Sequence, residues 1–241
     1  MIDTKRVLAI IPARGGSKRL PRKNVLPLAG KPLIGWSIDA AKKSKYVDQV
    51  FVSTDDQEIA DASSLFGVDV PELRPDHLAS DTATTESVLT YTLEKFGRDV
   101  DIIVLLQPTS PLRTAQHIDE ALDLFIEKQA FSVVSVTPCE HPPLWANTLP
   151  EDGTMGDFIR PEALKRSQDC GDFFRFNGAI YTFDVRKFME YGEIRYTDES
   201  FAYVMENQVS FDIEKRLDFE LADFFYEQRG LNSPLHSILL V

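Results

Sequence analysis

The segment Ile10-Ile-Pro-Ala-Arg-Gly-Gly-Ser-Lys-Arg-Leu-Pro-Arg-Lys-Asn24 carries more chemistry than any other in the chain. Between Thr4 and Ile38 there is no Asp or Glu, although the 241 residues include 38 acids, and the window holds eight Lys and Arg instead. Arg14, Lys18, Arg19, Arg22 and Lys23 fall within ten residues. In a protein of net charge −12, cations gathered at one place point to a bound polyanion. Gly15 and Gly16 let backbone N–H groups approach an anion while Lys and Arg neutralise its oxygens, a combination that suits a phosphate chain. The bland alternative, a solvated basic loop, fits less well because the charges are interleaved with Gly and Pro. The loop is neither G-x-x-x-x-G-K-[ST] nor G-x-G-x-x-G, which disfavours a P-loop kinase and a dinucleotide oxidoreductase.

Two carboxylates, Asp212 and Glu214, stand on alternate residues of an apparent strand, Val209–Ile213, and so share a face. One or two carboxylates completed by substrate phosphates are a usual set for Mg²⁺, with Mn²⁺ as an alternative ion; the competing reading is a solvated strand end. Gln107 closes the apolar run Ile102–Leu106 and opens Pro-Thr-Ser-Pro. An amide there is placed to bind a sugar substituent or hydroxyl, or else Gln107 and Thr109 only shape the turn. Arg113 either neutralises phosphate or braces that loop. Asp55 and Asp56 precede a helical pattern, and at least one reads as its cap. His77, His117, His141 and His236 lack zinc-ligand spacing, and Cys139 and Cys170 form no C-x-x-C pair.

These residues need a scaffold, and the hydrophobic pattern supplies one. Val7–Ile11, Gln49–Ser53, Asp101–Leu106 and Ser132–Val136 read as strands. Pro32–Ser44, Gln57–Phe66, Thr84–Phe96 and Thr114–Lys128 read as helices between them, with Pro32 at a first helical position and Thr114 as a cap. Gly178–Phe183 is a further strand, followed by helices over Asp184–Tyr191 and Arg216–Glu227. Alternating β and α units predict a doubly wound, mostly parallel sheet with ligands at the strands' carboxyl ends. One domain, 1–241, is expected. Thr137 to Gly171 breaks the pattern with five prolines and three glycines. It reads as an extension packing on a second subunit of a homodimer, the alternative being a surface loop or lid. The tail Leu231–Val241 has an apolar end that would dock on the domain. With 43% apolar and 27% charged residues, no membrane-length apolar run, no signal-peptide layout and an acidic balance, the expectation is a cytoplasmic protein that binds neither nucleic acid nor membrane.

The pattern P-A-R-x-x-S-x-x-x-P-x-K-N, here Pro12, Ala13, Arg14, Ser17, Pro21, Lys23 and Asn24, resembles the CTP-binding signature of the sugar cytidylyltransferases. The resemblance is to the N-acylneuraminate group in particular, which includes the legionaminic and pseudaminic acid enzymes. Leu73–Asp81, Gln107–Arg113, Phe174–Tyr181 and Ser210–Glu214 resemble that family's segments in its order. The resemblance implies a CTP site made of Ala13, Arg14, Gly15, Ser17, Lys18, Lys23 and Asn24, with Arg14, Lys18 and Lys23 on the phosphates and Asn24 near the ribose. It places Arg74, Ala83 and Thr85 around the cytosine, although Arg74 also reads as a surface ion pair. Gln107, Arg166, Gln168, Arg175 and Asn177 would face the sugar acid, and Asp212 and Glu214 would hold the metal. Three positions depart from the family: Ser167 replaces a second arginine, Glu214 replaces Asp, and Trp145 stands where some relatives have lysine.

The implied reaction moves CMP from CTP to the anomeric hydroxyl of a nine-carbon 2-keto sugar acid, N-acetylneuraminate foremost, and releases pyrophosphate. Arg14, Lys18, Lys23 and Asp212 would carry the catalysis. Competing readings are legionaminic or pseudaminic acid as acceptor, the eight-carbon acid Kdo, and a non-catalytic nucleotide-binding regulator on the same scaffold.

Overall fold

The structure, a computed structural model, describes residues 1–166 and 169–231. The chain forms β1 (Val7–Pro12), β2 (Pro27–Leu28), β3 (Lys31–Pro32), α1 (Leu33–Lys43), β4 (Gln49–Ser53), α2 (Gln57–Ser64), α3 (Thr85–Phe96) and β5 (Ile102–Leu105). It continues through α4 (Ala115–Glu127), β6 (Ser132–Pro138), β7 (Phe174–Asp184), α5 (Val185–Tyr191), β8 (Ser200–Val204) and α6 (Arg216–Leu231). Six strands make one sheet in the order β4-β1-β5-β7-β6-β8, and β2 and β3 make a separate two-stranded ribbon.

Strand β1 shows why the fold is doubly wound. Val7, Ala9 and Ile11 enter one core cluster, with Ile34 and Ile38 of α1 and Ile118, Leu122 and Phe125 of α4. Leu8 and Ile10 enter the opposite cluster, with Leu89 and Leu93 of α3 and Phe188 of α5. A strand buried on both faces must be apolar throughout, as this run is. Four helices, α2 to α5, start where polar side chains cap them. Asp56 accepts from Ile59 N (3.1 Å) and Thr84 from Ser87 N (3.2 Å). Thr114 and His117 cap α4 reciprocally, and Asp184 accepts from Lys187 N (3.0 Å).

The expected mostly parallel sheet is present: β1 pairs parallel with β4 and β5, and β6 with β8. Strand β7, however, runs antiparallel between β5 and β6. Its register jumps, so that residues 177–180 lie opposite Ser135 alone between the pairs Val134↔Tyr181 and Val136↔Phe176. Gly178, at φ +73°, makes this bulge possible.

Three expectations change. Pro32 precedes α1 and pairs with Pro27 instead of opening the helix. Strand β8 was not foreseen; it is an edge strand whose Ala202 and Val204 are exposed, so its alternation is weak. The predicted strand Val209–Ile213 is absent: Asn207–Val209 is a 3₁₀ turn and the next residues are irregular. Its apolar side chains anchor the segment without a ladder. Val209 joins the first cluster, Phe211 packs at a tilt against Phe225 (ring centroids 4.9 Å apart), and Ile213 is buried with Leu20, Leu28, Leu33 and Phe219. The predicted docking of the tail beyond Leu231 falls outside the described residues.

Candidate active site

The loop after β1 and the loop after β5 meet where the chain, having laid β4 on one side of β1, places β5 on the other. In open α/β sheets this is where ligands bind. A cavity of about 330 Å³ opens there, lined by Pro12, Arg14, Ser17, Lys23, Asn24, Gln107, Thr109, Asp212 and Glu214. A neighbouring cavity of about 320 Å³ shares Pro12 and Arg14 and is walled by Arg74, Asp81, Ala83 and Thr85. Residues drawn from four distant segments thus converge on two adjoining hollows, with Arg14 belonging to both.

Asn24 is buried and donates to Arg14 O (3.0 Å), which ties the end of the cationic loop to its start. Lys23 donates to Ile213 O (2.5 Å), so the loop is also tied to the segment bearing the two carboxylates. Burial pushes the Lys23 ammonium below the ordinary lysine value; Asp212 and Glu214 oppose this shift, and Arg14 and Arg19 add to it. The remaining loop cations rest on acids. Asp81 accepts from Arg14 (2.9 Å) and Lys18 (2.6 Å), Arg19 pairs with Glu214, and Arg22 holds Asp56 and Glu58. The pair of cations holds Asp81 below the usual carboxylate range, Lys18 contributing first.

The loop's amides are less available than its glycines suggest. Gly15 N donates to Asp55 Oδ1 (3.2 Å) and Ser17 N to Gly15 O (2.9 Å). Charge for an anion therefore comes from side chains. Ala13 is buried beside Ser53, to whose carbonyl its N–H donates (2.9 Å).

Asp212 and Glu214 both border the first cavity while Ile213 between them is buried. Their shared facing comes from this anchored turn and not from strand alternation. Gln107 also borders the cavity, and its Oε1 approaches Gly178 so closely that a Cβ there would lie 2.6 Å away. Arg113 braces the loop: fully buried, it donates to Gln107 O (3.2 Å), Ala179 O (2.9 Å) and Ser37 Oγ (2.6 Å). Burial pushes it down to about 10.

Apart from Gln107, the residues expected to face a sugar acid do not line this cavity. Asn177 is buried in the β7 bulge. It donates to Ser210 Oγ (2.9 Å) and accepts from Ser135 Oγ (2.6 Å) and Ala179 N (3.2 Å), a structural use of all its polar atoms. Arg175 and Arg166 are exposed and line neither cavity. Gln168 and Ser167 lie outside the described residues. Arg19 and Asp55, read from the sequence only as a loop cation and a candidate helix cap, and Asp81 lie in or beside the candidate site, pairing with Glu214, with Gly15 N and Arg74, and with Arg14 and Lys18. Asp81 ends a segment already matched to the family, and Asp55 follows a strand, which were the available signals.

A family model described as cytidylyltransferase matches residues 8–231. The chain belongs to the cytidylyltransferase family. It is 36% identical over 229 residues to the CMP-N,N'-diacetyllegionaminic acid synthase of Legionella pneumophila, covering 92% of this chain and 97% of that one. It is likewise 36% identical over 220 residues to the N-acylneuraminate cytidylyltransferase of Escherichia coli O18:K1:H7, covering 90% of this chain but 51% of that longer protein. Among solved structures, a CMP:2-keto-3-deoxy-manno-octonic acid synthetase complexed with CTP superposes with a TM-score of 0.71 at 17% identity, over 93% of this chain and all of the other. That likeness concerns the fold. As a cytidylyltransferase the chain is a nucleotidyltransferase enzyme, and among the described residues no helix is long and apolar enough to cross a membrane.

Proposed function

We propose that this cytidylyltransferase transfers CMP from CTP to the anomeric hydroxyl of a nine-carbon 2-keto sugar acid and releases pyrophosphate. N-acetylneuraminate and N,N'-diacetyllegionaminic acid are the first acceptors to test. One observation carries the reading: Arg14 belongs to both cavities, with cations and carboxylates in the first and Arg74, Ala83 and Thr85 in the second. A nucleotide laid across Arg14 would put its triphosphate beside Lys23 and its base beside Arg74.

In that pose Arg14 and Lys18 exchange their internal acceptors for phosphate oxygens, while Lys23 keeps Ile213 O and turns its remaining donors to the phosphates. They then hold the charge that grows on the leaving pyrophosphate, the kind of stabilisation that acts on the transition state more than on the ground state. Gln107 offers an amide to the acceptor, held in place from behind by Arg113. The donor set fits a hard divalent cation: Asp212 and Glu214 supply oxygen only, and no cluster of three or more His, Cys, Asp or Glu suited to a metal occurs among the described residues, so substrate oxygens would complete the shell. When bound, Mg²⁺ would lower the pKa of the attacking hydroxyl and screen its approach to phosphate. Glu214 must leave Arg19 to take part, and its extra methylene relative to Asp gives it the reach for either partner.

The arm at 137–171 supports a homodimer. Leu144 and Leu149 are exposed, as are Met155 and Leu164, whereas Trp145, Phe158 and Ile159 are half-buried within the arm. Trp145 donates to Ala163 O (2.9 Å). Pyrophosphate release with CTP and Mg²⁺ across N-acetylneuraminate, legionaminic, pseudaminic and Kdo acceptors tests the reading. No release with any nine-carbon acid would refute it.

A further inference from the structure

We infer that Asp55 is a positioning residue that locks the phosphate-side loop against the base-side cavity, through one carboxylate oxygen shared by the Gly15 N–H and the Arg74 guanidinium. The inference rests on the CTP reading of the two cavities. Two acids follow β4, and the structure gives them different work. Asp56 caps α2 and binds Arg22 (2.5 Å to Nη1, 3.2 Å to Nη2). Asp55 turns to the site, where its Oδ1 accepts from Gly15 N at 3.2 Å and from Arg74 Nη2 at 3.4 Å.

These two donors belong to different halves of the site. Gly15 follows Arg14 in the cationic loop, while Arg74 walls the second cavity. Both are pressed onto the turn at 54–56. A Cβ on Gly15 would stand 2.5 Å from Asp56 Oδ2 and 2.9 Å from Asp56 Cβ, so the loop can sit this close only as glycine. Arg74 is also held by its backbone, its N–H donating to Thr54 O at 2.6 Å. Its side chain is 5% exposed, and Asp55 is the carboxylate paired with it. A guanidinium so enclosed needs a counter-charge. Its Nε has no hydrogen-bond partner among the described residues, so the side chain's aim depends on the Asp55 contact. Asp55 thereby fixes the spacing between base recognition and phosphate recognition without touching the reacting atoms. The anchors of Asp212, Glu214 and Gln107 do not involve Asp55: Ile213 N donates to Thr109 O, and Ser110 N and Arg113 to Gln107 O.

The full-length chain with Asp55→Ala and with Asp55→Asn tests this, by calorimetric binding of CTP without acceptor and by steady-state kinetics. Asp55→Ala should weaken CTP binding and raise the KM for CTP roughly 10- to 100-fold, the range for losing hydrogen bonds to charged groups, with kcat at saturating CTP little changed. Asp55→Asn keeps an acceptor oxygen but not the charge, and should fall between; it carries the test if Asp55→Ala does not fold. Combined with Arg74→Ala, the Asp55→Ala effect should be clearly less than the product of the two single effects, because one residue acts through the other. Wild-type affinity in both Asp55 variants, a multiplicative double variant, or a loss confined to kcat would overturn the role of Asp55 while leaving the CTP reading intact. A wild-type chain that does not bind CTP would refute both.

Discussion

Gly178→Ala separates what the β7 bulge contributes to stability from what it contributes to the site. Gly178 has φ +73°, and an added Cβ would meet Gln107 Oε1 at 2.6 Å and Ser110 Oγ at 3.6 Å. The left-handed backbone conformation costs a non-glycine residue about 1–2 kcal/mol. Gln107 Oε1 is the far end of a flexible side chain, so relieving the contact costs less, about 0.5–1.5 kcal/mol if the amide is forced off its rotamer. At about 2–4 °C per kcal/mol for a chain of this size, the melting temperature should fall by roughly 3–14 °C. Gly192→Ala is the control. It has φ +68° and open space around the missing Cβ, so it bears the backbone cost alone. Thermal melts of the two variants should differ by no more than the small rotamer term. Activity should divide them sharply: Gly192→Ala stays near wild type, whereas Gly178→Ala loses on the order of 10²-fold in kcat/KM for the sugar acid, since ångström-scale displacement of a positioning group carries such penalties. Equal activity in the two variants would refute the role given to Gln107.

Lys23→Met keeps the packed stem and removes the charge; the KM for CTP should rise at least about tenfold, as expected when a charged hydrogen bond is lost, and an unchanged KM would take the triphosphate away from this loop. Because burial sets Lys23 below the ordinary lysine value, its charge is lost earlier as pH rises. Phosphates favour the protonated form, so CTP binding should weaken on the alkaline side and take up a proton there, and Lys23→Arg should move that limb upward; buffer-dependent calorimetry measures both. Asp212→Asn should cost about 10²–10³ in kcat, partly restored by excess Mg²⁺, with Glu214→Asp milder by at least tenfold; wild-type activity of Asp212→Asn across a Mg²⁺ titration would remove the metal assignment. Light scattering at micromolar concentration should give a dimer, and a monomer would sink the role proposed for the arm at 137–171.

Much of the scaffold was legible because its strands are buried on both faces. Val7–Ile11 and Ile102–Leu105 are short continuous apolar runs, a pattern that a two-sided parallel sheet demands, while the edge strand Gln49–Ser53 keeps only the apolar centre Val50, Phe51 and Val52. The capping residues Thr84, Thr114 and Asp184 then set the helix starts to within a residue. Periodicity failed where apolar spacing served another purpose. Val209, Phe211 and Ile213 alternate like a strand, yet Val209 and Phe211 pack on one core cluster and Ile213 on another, under a turn. Edge strand β8 was missed for the converse reason, since a half-exposed strand need not alternate strongly. In the site, residue types identified the cations and the acids but not their pairings. Asn177 lies between Arg175 and the bulge glycine, and only the register jump in β7 shows that it points inward. Gly15 likewise read as an amide donor to phosphate, and only the fold reveals that Asp55 already accepts from it.

Those pairings bear on how the site works. Arg14, Lys18 and Arg19 do not wait in solvent; Asp81 and Glu214 hold them. Ion pairs this exposed contribute little to stability, so breaking them when a triphosphate arrives is cheap. What they supply is orientation, because long cationic side chains lose much rotamer freedom when an anion fixes them. An acid with one negative charge is readily displaced by a triphosphate with several. Lys23 differs, being half-buried and bonded to a neutral carbonyl between the two carboxylates. Its ammonium lies where charge is hardest to hydrate, and therefore where a phosphate oxygen gains most from meeting it. The loop thus combines exposed cations that are easily retargeted with one enclosed cation whose position is fixed by the Ile213 turn. That turn also carries Asp212 and Glu214, so the same anchor that buries Ile213 sets the spacing between the Lys23 ammonium and the carboxylates facing it.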